Sequence, residues 1–207
     1  MMQITECLGT MPPSARTVSV ALIPKATGGH RPVCIGTAYM RLYSRARSPI
    51  VSKWEERFRR AFLSSAKATG AIEAVWRQAL DAEEAVEQGG HAAAILWDLE
   101  AFFVTVDLEL LEERAKAMGF PPAILQVALS MYRSPRMLGA SGCVAAPLEP
   151  RRGIMAGCIF AKALVTAYYV LPLDKWDASN EGVELEPTST ISLWRVRTHP
   201  RMPWPIE

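Results

Sequence analysis

Alternating apolar and polar positions mark residues 17–23 (Thr-Val-Ser-Val-Ala-Leu-Ile) as a strand and residues 31–35 as a second one. The connection between them holds Gly28 and Gly29, so the pair predicts a β-hairpin. Residues 37–63 carry helical spacing, with a break expected at Ser48-Pro49. A further helix is predicted over 70–87, with Ile72, Val75, Trp76, Ala79 and Leu80 on one face, ended by Gln88-Gly89-Gly90. An apolar run of strand length, 92–97, leads to Asp98. Helices follow at 108–118 and 121–133, the second opened by Pro121-Pro122. Residues 136–147 suggest a short hairpin around Gly139 to Gly142, and 151–157 a glycine-bearing loop before an apolar helix over 159–170. Residues 1–16 read as an irregular lead-in, and there is no internal repeat. The layout is α+β.

Composition narrows the class more than it names it. A chain of 207 residues, 50% hydrophobic, can bury one substantial core. Lys and Arg number 23 against 21 Asp and Glu, a net charge of +2, so overall charge does not announce a polyanionic partner. Its distribution is more telling. Residues 41–60 hold Arg41, Arg45, Arg47, Lys53, Arg57, Arg59 and Arg60 against only Glu55 and Glu56, which fits a phosphate-facing surface or a solvated helix face. Cys7, Cys34, Cys143 and Cys158 stand far apart, with neither a CxxC pair nor a histidine at zinc spacing. They read as buried, reduced thiols of a soluble intracellular protein. No apolar run reaches the ~18 residues that a membrane span needs, so no membrane association is expected.

Three features could carry chemistry. Asp98 ends the buried-type strand, where a rigid element can present a metal-ligating carboxylate; Asp107, further on, reads as the N-cap of the next helix. Lys25 and Arg31 flank the Gly-Gly turn of the hairpin and suit the oxygens of a triphosphate, lysine as a point charge and arginine as a fork. Gly153 and Gly157, in Gly-Ile-Met-Ala-Gly, leave backbone bare enough for a base pair or sugar to approach.

In this order the pieces resemble reverse transcriptases of the non-LTR retroelement and group II intron type. Residues 23–33 look like the family's fingers motif, with 39–45 as its continuation; residues 97–111 are similar to palm motif A; residues 152–158 resemble motif B. The resemblance covers residues 17–186 and implies a right-hand polymerase with fingers and palm, adding dNTPs to a DNA primer on an RNA template. It implies two Mg²⁺ ions held by carboxylates of motifs A and C. Asp98 would then be the motif A ligand with the Leu99 carbonyl beside it. Phe103 would be the gate against a ribose 2′-hydroxyl, Lys25 and Arg31 the triphosphate contacts, and Gly153 and Gly157 the border of the templating pair.

Two departures stand against full activity. Ala156 replaces the glutamine usual in motif B. More seriously, Gly182-Val-Glu-Leu-Glu186 resembles the start of motif C, but no aspartate follows it in 187–207, and no thumb is expected within these residues. In a shifted reading frame Thr188-Ser-Thr-Ile-Ser192 is compatible with Tyr-Ile-Asp-Asp-Phe, so the tail is expected to be a frameshifted, disordered reading of motif C. The expectation is a fingers and partial palm lacking motif C, catalytically inactive as it stands. The alternative is a non-catalytic retroelement remnant that at most binds nucleic acid through its basic fingers.

Overall fold

The computed structural model describes residues 1–26, 28–60, 71–96, 102–140, 142–180, 183–186 and 193–198. They fall into two units, Met1–Arg57 with Ala101–Tyr169, and Phe58–Glu100 with Val170–Glu207.

In the first unit the hairpin forms as the alternation predicts. Strands β1 (Val18–Pro24) and β2 (His30–Ile35) pair antiparallel, from Ser19 opposite Ile35 to Pro24 opposite His30. Val18 and Val20 are buried on one side of β1, with Ser19 between them exposed. Strand β3 (Arg136–Ala140) adds to β1 in parallel, and β4 (Cys143–Val144) closes the short antiparallel ribbon foreseen around Gly142. The sheet order is β2-β1-β3-β4.

Residues 1–16 are not irregular. Helix α1 (Met2–Leu8) is tied down by the Thr5 hydroxyl, 2.7 Å from that of Tyr39, and by an ion pair from Glu6 to Arg47. These long-range contacts have no signature in the local sequence.

Helix α2 (Ala38–Arg57) runs straight through the expected break at Pro49. Proline removes the N–H that would bond to the carbonyl four residues back, which is that of Arg45. The Ser48 hydroxyl donates to that carbonyl instead, at 2.9 Å. Tyr43 and Trp54 on the inner face of α2 are buried, and the Trp54 indole N–H donates to the Met118 carbonyl at 3.0 Å.

After residues 97–101 the first unit resumes with α4 (Phe102–Thr105) and α5 (Leu108–Ala117), then α6 (Pro122–Tyr132). Asp107 is the N-cap of α5, accepting from the amides of Glu109 and Leu110 at 2.9 and 3.1 Å. Those amides, Leu110 first, hold its carboxyl below the usual aspartate range. Helix α6 is apolar nearly all round and lies in the core, with Leu125, Val127, Ala128, Leu129 and Tyr132 fully buried. Helix α7 (Ala161–Ser179) is longer than expected and contains Pro172. The Tyr168 carbonyl that Pro172 leaves without its helical donor accepts from the Arg114 guanidinium. Asp174 and Asp177 therefore belong to a helix rather than a loop.

In the second unit, Asp174 is held by Arg60 through a two-bond fork of 2.9 and 2.8 Å. Helix α3 (Ala71–Glu87) packs against β5 (His91–Leu96). The apolar face read from the spacing is exposed at Ile72, Val75, Trp76, Ala79 and Leu80, and Ala85 is buried. The tail is not structureless either. Strand β7 (Leu193–Thr198) lies between β5 and β6 (Val183–Glu186), antiparallel to both. Strand β5, which leads toward Asp98, thus pairs with a strand of the tail. The remainder of 187–207 lies outside the described residues.

Candidate functional site

The segment after Asp98 and the glycine loop meet through backbone. The Gly153 amide donates to the Val106 carbonyl and the Ile154 amide to the Phe103 carbonyl, both at 2.8 Å. Gly153 is buried with φ of +89°, a conformation that side-chain-bearing residues rarely adopt. A Cβ at Gly153 would stand 2.8 Å from the Val104 Cα and 2.9 Å from its carbonyl oxygen. Only glycine allows this approach. Phe103 is 39% exposed, its ring edge-on to buried Phe102 with centroids 5.4 Å apart. Phe103 and Gly153, assigned from separate motifs, are therefore neighbours.

Arg136 connects this junction to the hairpin sheet. It opens β3, opposite Val18 of β1, and its Nη2 donates to the carbonyls of Tyr132 and Gly153 at 3.4 and 3.3 Å. Its Nε is buried and has no hydrogen-bond partner among the described residues. Nothing local marks this role: an arginine after Ser134-Pro135 reads as the start of a strand and nothing more.

Gly157, also at φ of +89°, is exposed, and a Cβ there would meet nothing within 4 Å. It borders a cavity of about 220 Å³ whose other walls include Ile35, Gly36 and Arg41. Lys25 and Arg31 are exposed on the hairpin. The Lys25 amide bonds to the Gly29 carbonyl at 3.0 Å, and Arg31 stands opposite Ile23 in the strand register. Along α2, Arg41, Arg45, Lys53 and Arg57 are exposed at four- or eight-residue intervals, a basic stripe winding along the helix. Arg47 and Arg60, from the same basic segment, are engaged by Glu6 and Asp174. Two of the four cysteines correct the buried-thiol expectation, since Cys7 and Cys143 are exposed.

Asp98 and Leu99 lie outside the described residues; β5 ends two positions earlier, at Leu96. Among the described residues no group of three or more His, Cys, Asp or Glu comes together to hold a metal ion. A two-ion Mg²⁺ centre needs several oxygen ligands, yet the stretch 187–192 between β6 and β7 is Pro-Thr-Ser-Thr-Ile-Ser. Among the described residues the carboxylates that two Mg²⁺ ions would need do not come together. Among the described residues no helix is long and apolar enough to cross a membrane.

No protein-family model and no curated protein matches the chain. A solved structure of apo telomerase from Candida tropicalis, truncated from its C-terminal domain, is similar with a TM-score of 0.65 at 12% identity. The match covers 90% of this chain and 44% of that one, so the chain spans less than half of the telomerase chain. In coarse outline the chain shares the mixed α and β fold of that telomerase.

Proposed function

We propose that the chain is a reverse-transcriptase-like domain of the retroelement type that binds a nucleic-acid template and primer and, with this sequence, does not polymerise. The observation that carries the reading is the backbone contact of Gly153 and Ile154 with the Phe103–Val106 segment. It joins the stretch resembling motif A to the loop resembling motif B, the two that must flank one nucleotide. The likeness to a telomerase fold supports the same class. In this reading Lys25 and Arg31 contact triphosphate, Phe103 and the Leu99 carbonyl lie beside the incoming sugar, and Gly153 and Gly157 border the templating pair. The exposed stripe of Arg41, Arg45, Lys53 and Arg57 adds phosphate contacts. Asp98 is the metal-ligand position of the parent family, left without the motif C carboxylates that would complete the site.

Two assays on the 207-residue protein separate this from the active-enzyme reading. A labelled RNA–DNA primer–template should bind with a salt slope of about −0.9 per phosphate neutralised. Charge reversal at Arg41 and Arg45 should weaken binding and flatten that slope. Primer extension with dNTPs and Mg²⁺ should give no incorporation. Incorporation that disappears in Asp98→Ala would establish an active polymerase and overturn the inactive reading. Binding indifferent to both salt and the arginines would overturn the nucleic-acid reading.

A further inference from the structure

The exposed surface of α3 changes character along the helix. Ile72, Val75, Trp76, Ala79 and Leu80 follow the spacing that puts residues on one helix face, and all five are exposed, Trp76 with 65% of its surface. Apolar residues gathered in this way mark an interaction surface, where scattered ones would not. Toward the C-terminal end the exposed residues include Glu83, Glu84 and Glu87, with no basic residue in the last turn. The negative end of the helix dipole lies there too.

The sheet register brings another part of the chain to that acidic end. Strand β7 ends at Thr198, which pairs with His91, the first residue of β5. His91 is exposed and stands four positions after Glu87, across a turn in which the Gly89 and Gly90 amides bond to the Val86 and Ala85 carbonyls at 2.9 Å. The chain therefore leaves β7 about 5 Å from His91, beside the end of α3. Residues 199–207, beyond that point and outside the described residues, read His-Pro-Arg-Met-Pro-Trp-Pro-Ile-Glu. Three prolines argue against a helix there. Arg201 comes first, and Met202, Trp204 and Ile206 follow at every second position, which one side of an extended segment presents together. The order of charge and apolar groups thus matches α3 read backwards from Glu87. Nine residues reach about 30 Å. Crossing a helix about 10 Å thick and following it about 17 Å from Glu87 to Trp76 falls within that reach.

We propose that residues 199–207 dock on the exposed face of α3, antiparallel to it, with Arg201 at Glu83 and Glu87 and with Met202, Trp204 and Ile206 over Leu80, Ala79 and Trp76. Docking removes two apolar sets from water at once and sets a guanidinium against carboxylates. The tether supplies the segment at high effective concentration, so a small contact suffices. The acids repel phosphates, which excludes nucleic acid as the occupant of this face. The docking is independent of the nucleic-acid reading, since α3 and β7 belong to the second unit.

The test uses the full chain with exposed Cys7 and Cys143 changed to serine and a reporter thiol introduced by Ala79→Cys. Its alkylation by iodoacetamide is followed by mass spectrometry of its own peptide. With the native tail, alkylation should be at least about tenfold slower than with Met202, Trp204 and Ile206 all changed to serine, as a tail docked about ten to one requires. Arg201→Glu should speed alkylation, and adding Glu83→Lys and Glu87→Lys should restore the shielding. Deuterium exchange over residues 71–87 with Ala79 in place is the second readout, should the reporter disturb α3 by circular dichroism; it should be slower with the native tail than with the serine tail. Equal rates with native and serine tails overturn the proposal, as does indifference to Arg201→Glu. Shielding that grows with protein concentration assigns the face to a second copy and overturns it as well.

Discussion

Gly153→Ala tests the contact on which the site rests. The new Cβ would meet two backbone atoms of Val104 at 2.8 and 2.9 Å and the Phe103 carbonyl oxygen at 3.0 Å. Backbone atoms cannot rotate aside as a side-chain end can, so the loop or α4 must shift. Overpacking of this kind costs about 1–3 kcal/mol. The backbone adds its own penalty, because φ of +89° disfavours an L side chain by about 1–2 kcal/mol. The total is about 2–5 kcal/mol, a large part of the about 5–15 kcal/mol that stabilises a typical domain. Gly157→Ala supplies the control. It has the same φ of +89° but nothing within 4 Å of its Cβ, so it carries the conformational penalty alone. Urea unfolding of both variants, followed by circular dichroism, gives the difference directly. Gly153→Ala should be the less stable by about 1–3 kcal/mol. Equal losses would refute the close approach of the loop to the Phe103–Val106 segment, and with it the joining of the two motifs.

Two further predictions concern the scaffold. Pro49→Ala should stabilise the chain by less than the ~3 kcal/mol typical of an unassisted helix-interior proline, because Ser48 already serves the Arg45 carbonyl. Ser48→Ala should cost about 0.5–1.5 kcal/mol with Pro49 present and nearly nothing in the Pro49→Ala background, so additive effects in a double-mutant cycle would refute the substitution of one donor for the other. The second concerns pH. Glu112 is held below its ordinary value of 4.5 chiefly by Lys116, then by Gln126. A depressed carboxyl stabilises the fold above the unfolded-state pKa and loses that contribution as pH falls through the folded one. Glu112→Gln should therefore narrow the stability gap between pH 6 and pH 3 measured by thermal melts, and an unchanged gap would discount the Lys116 contact.

The sequence made legible whatever was local. Alternation gave the hairpin, the side chain of Asp107 gave the start of α5, and Pro121-Pro122 gave the start of α6, because each is decided within a few residues. The sequence is silent where a distant partner or a substitute donor decides the outcome. Helix α1 depends on Tyr39 and Arg47, more than 30 residues on. Proline breaks a helix only if the carbonyl it strands goes unserved, and Ser48 and Arg114 serve theirs. The outward apolar face of α3 was invisible for a related reason: periodicity shows that a face exists, and not which way it points. Within the site, Phe103 and Gly153 were legible as residues, whereas their contact and the role of Arg136 belong to tertiary structure.

The tail separates what a sheet requires from what a metal site requires. Residues 193–198, Leu-Trp-Arg-Val-Arg-Thr, do alternate, and their β-branched and aromatic members suit a strand. The register sets Glu184 opposite Arg195 and Val183 opposite Val196. Building such a sheet requires backbone amides, carbonyls and β-forming side chains, and it does not require aspartates. Holding two Mg²⁺ ions requires carboxylates and cares little about the rest of the strand. A change of sequence that removes the acids while keeping alternation can therefore abolish the chemistry and leave the sheet in place. On that argument, the absence of aspartate after Glu186 predicts failure in primer extension without predicting failure to fold, and nucleic-acid binding through α2 and the hairpin, which belong to the other unit, should survive it.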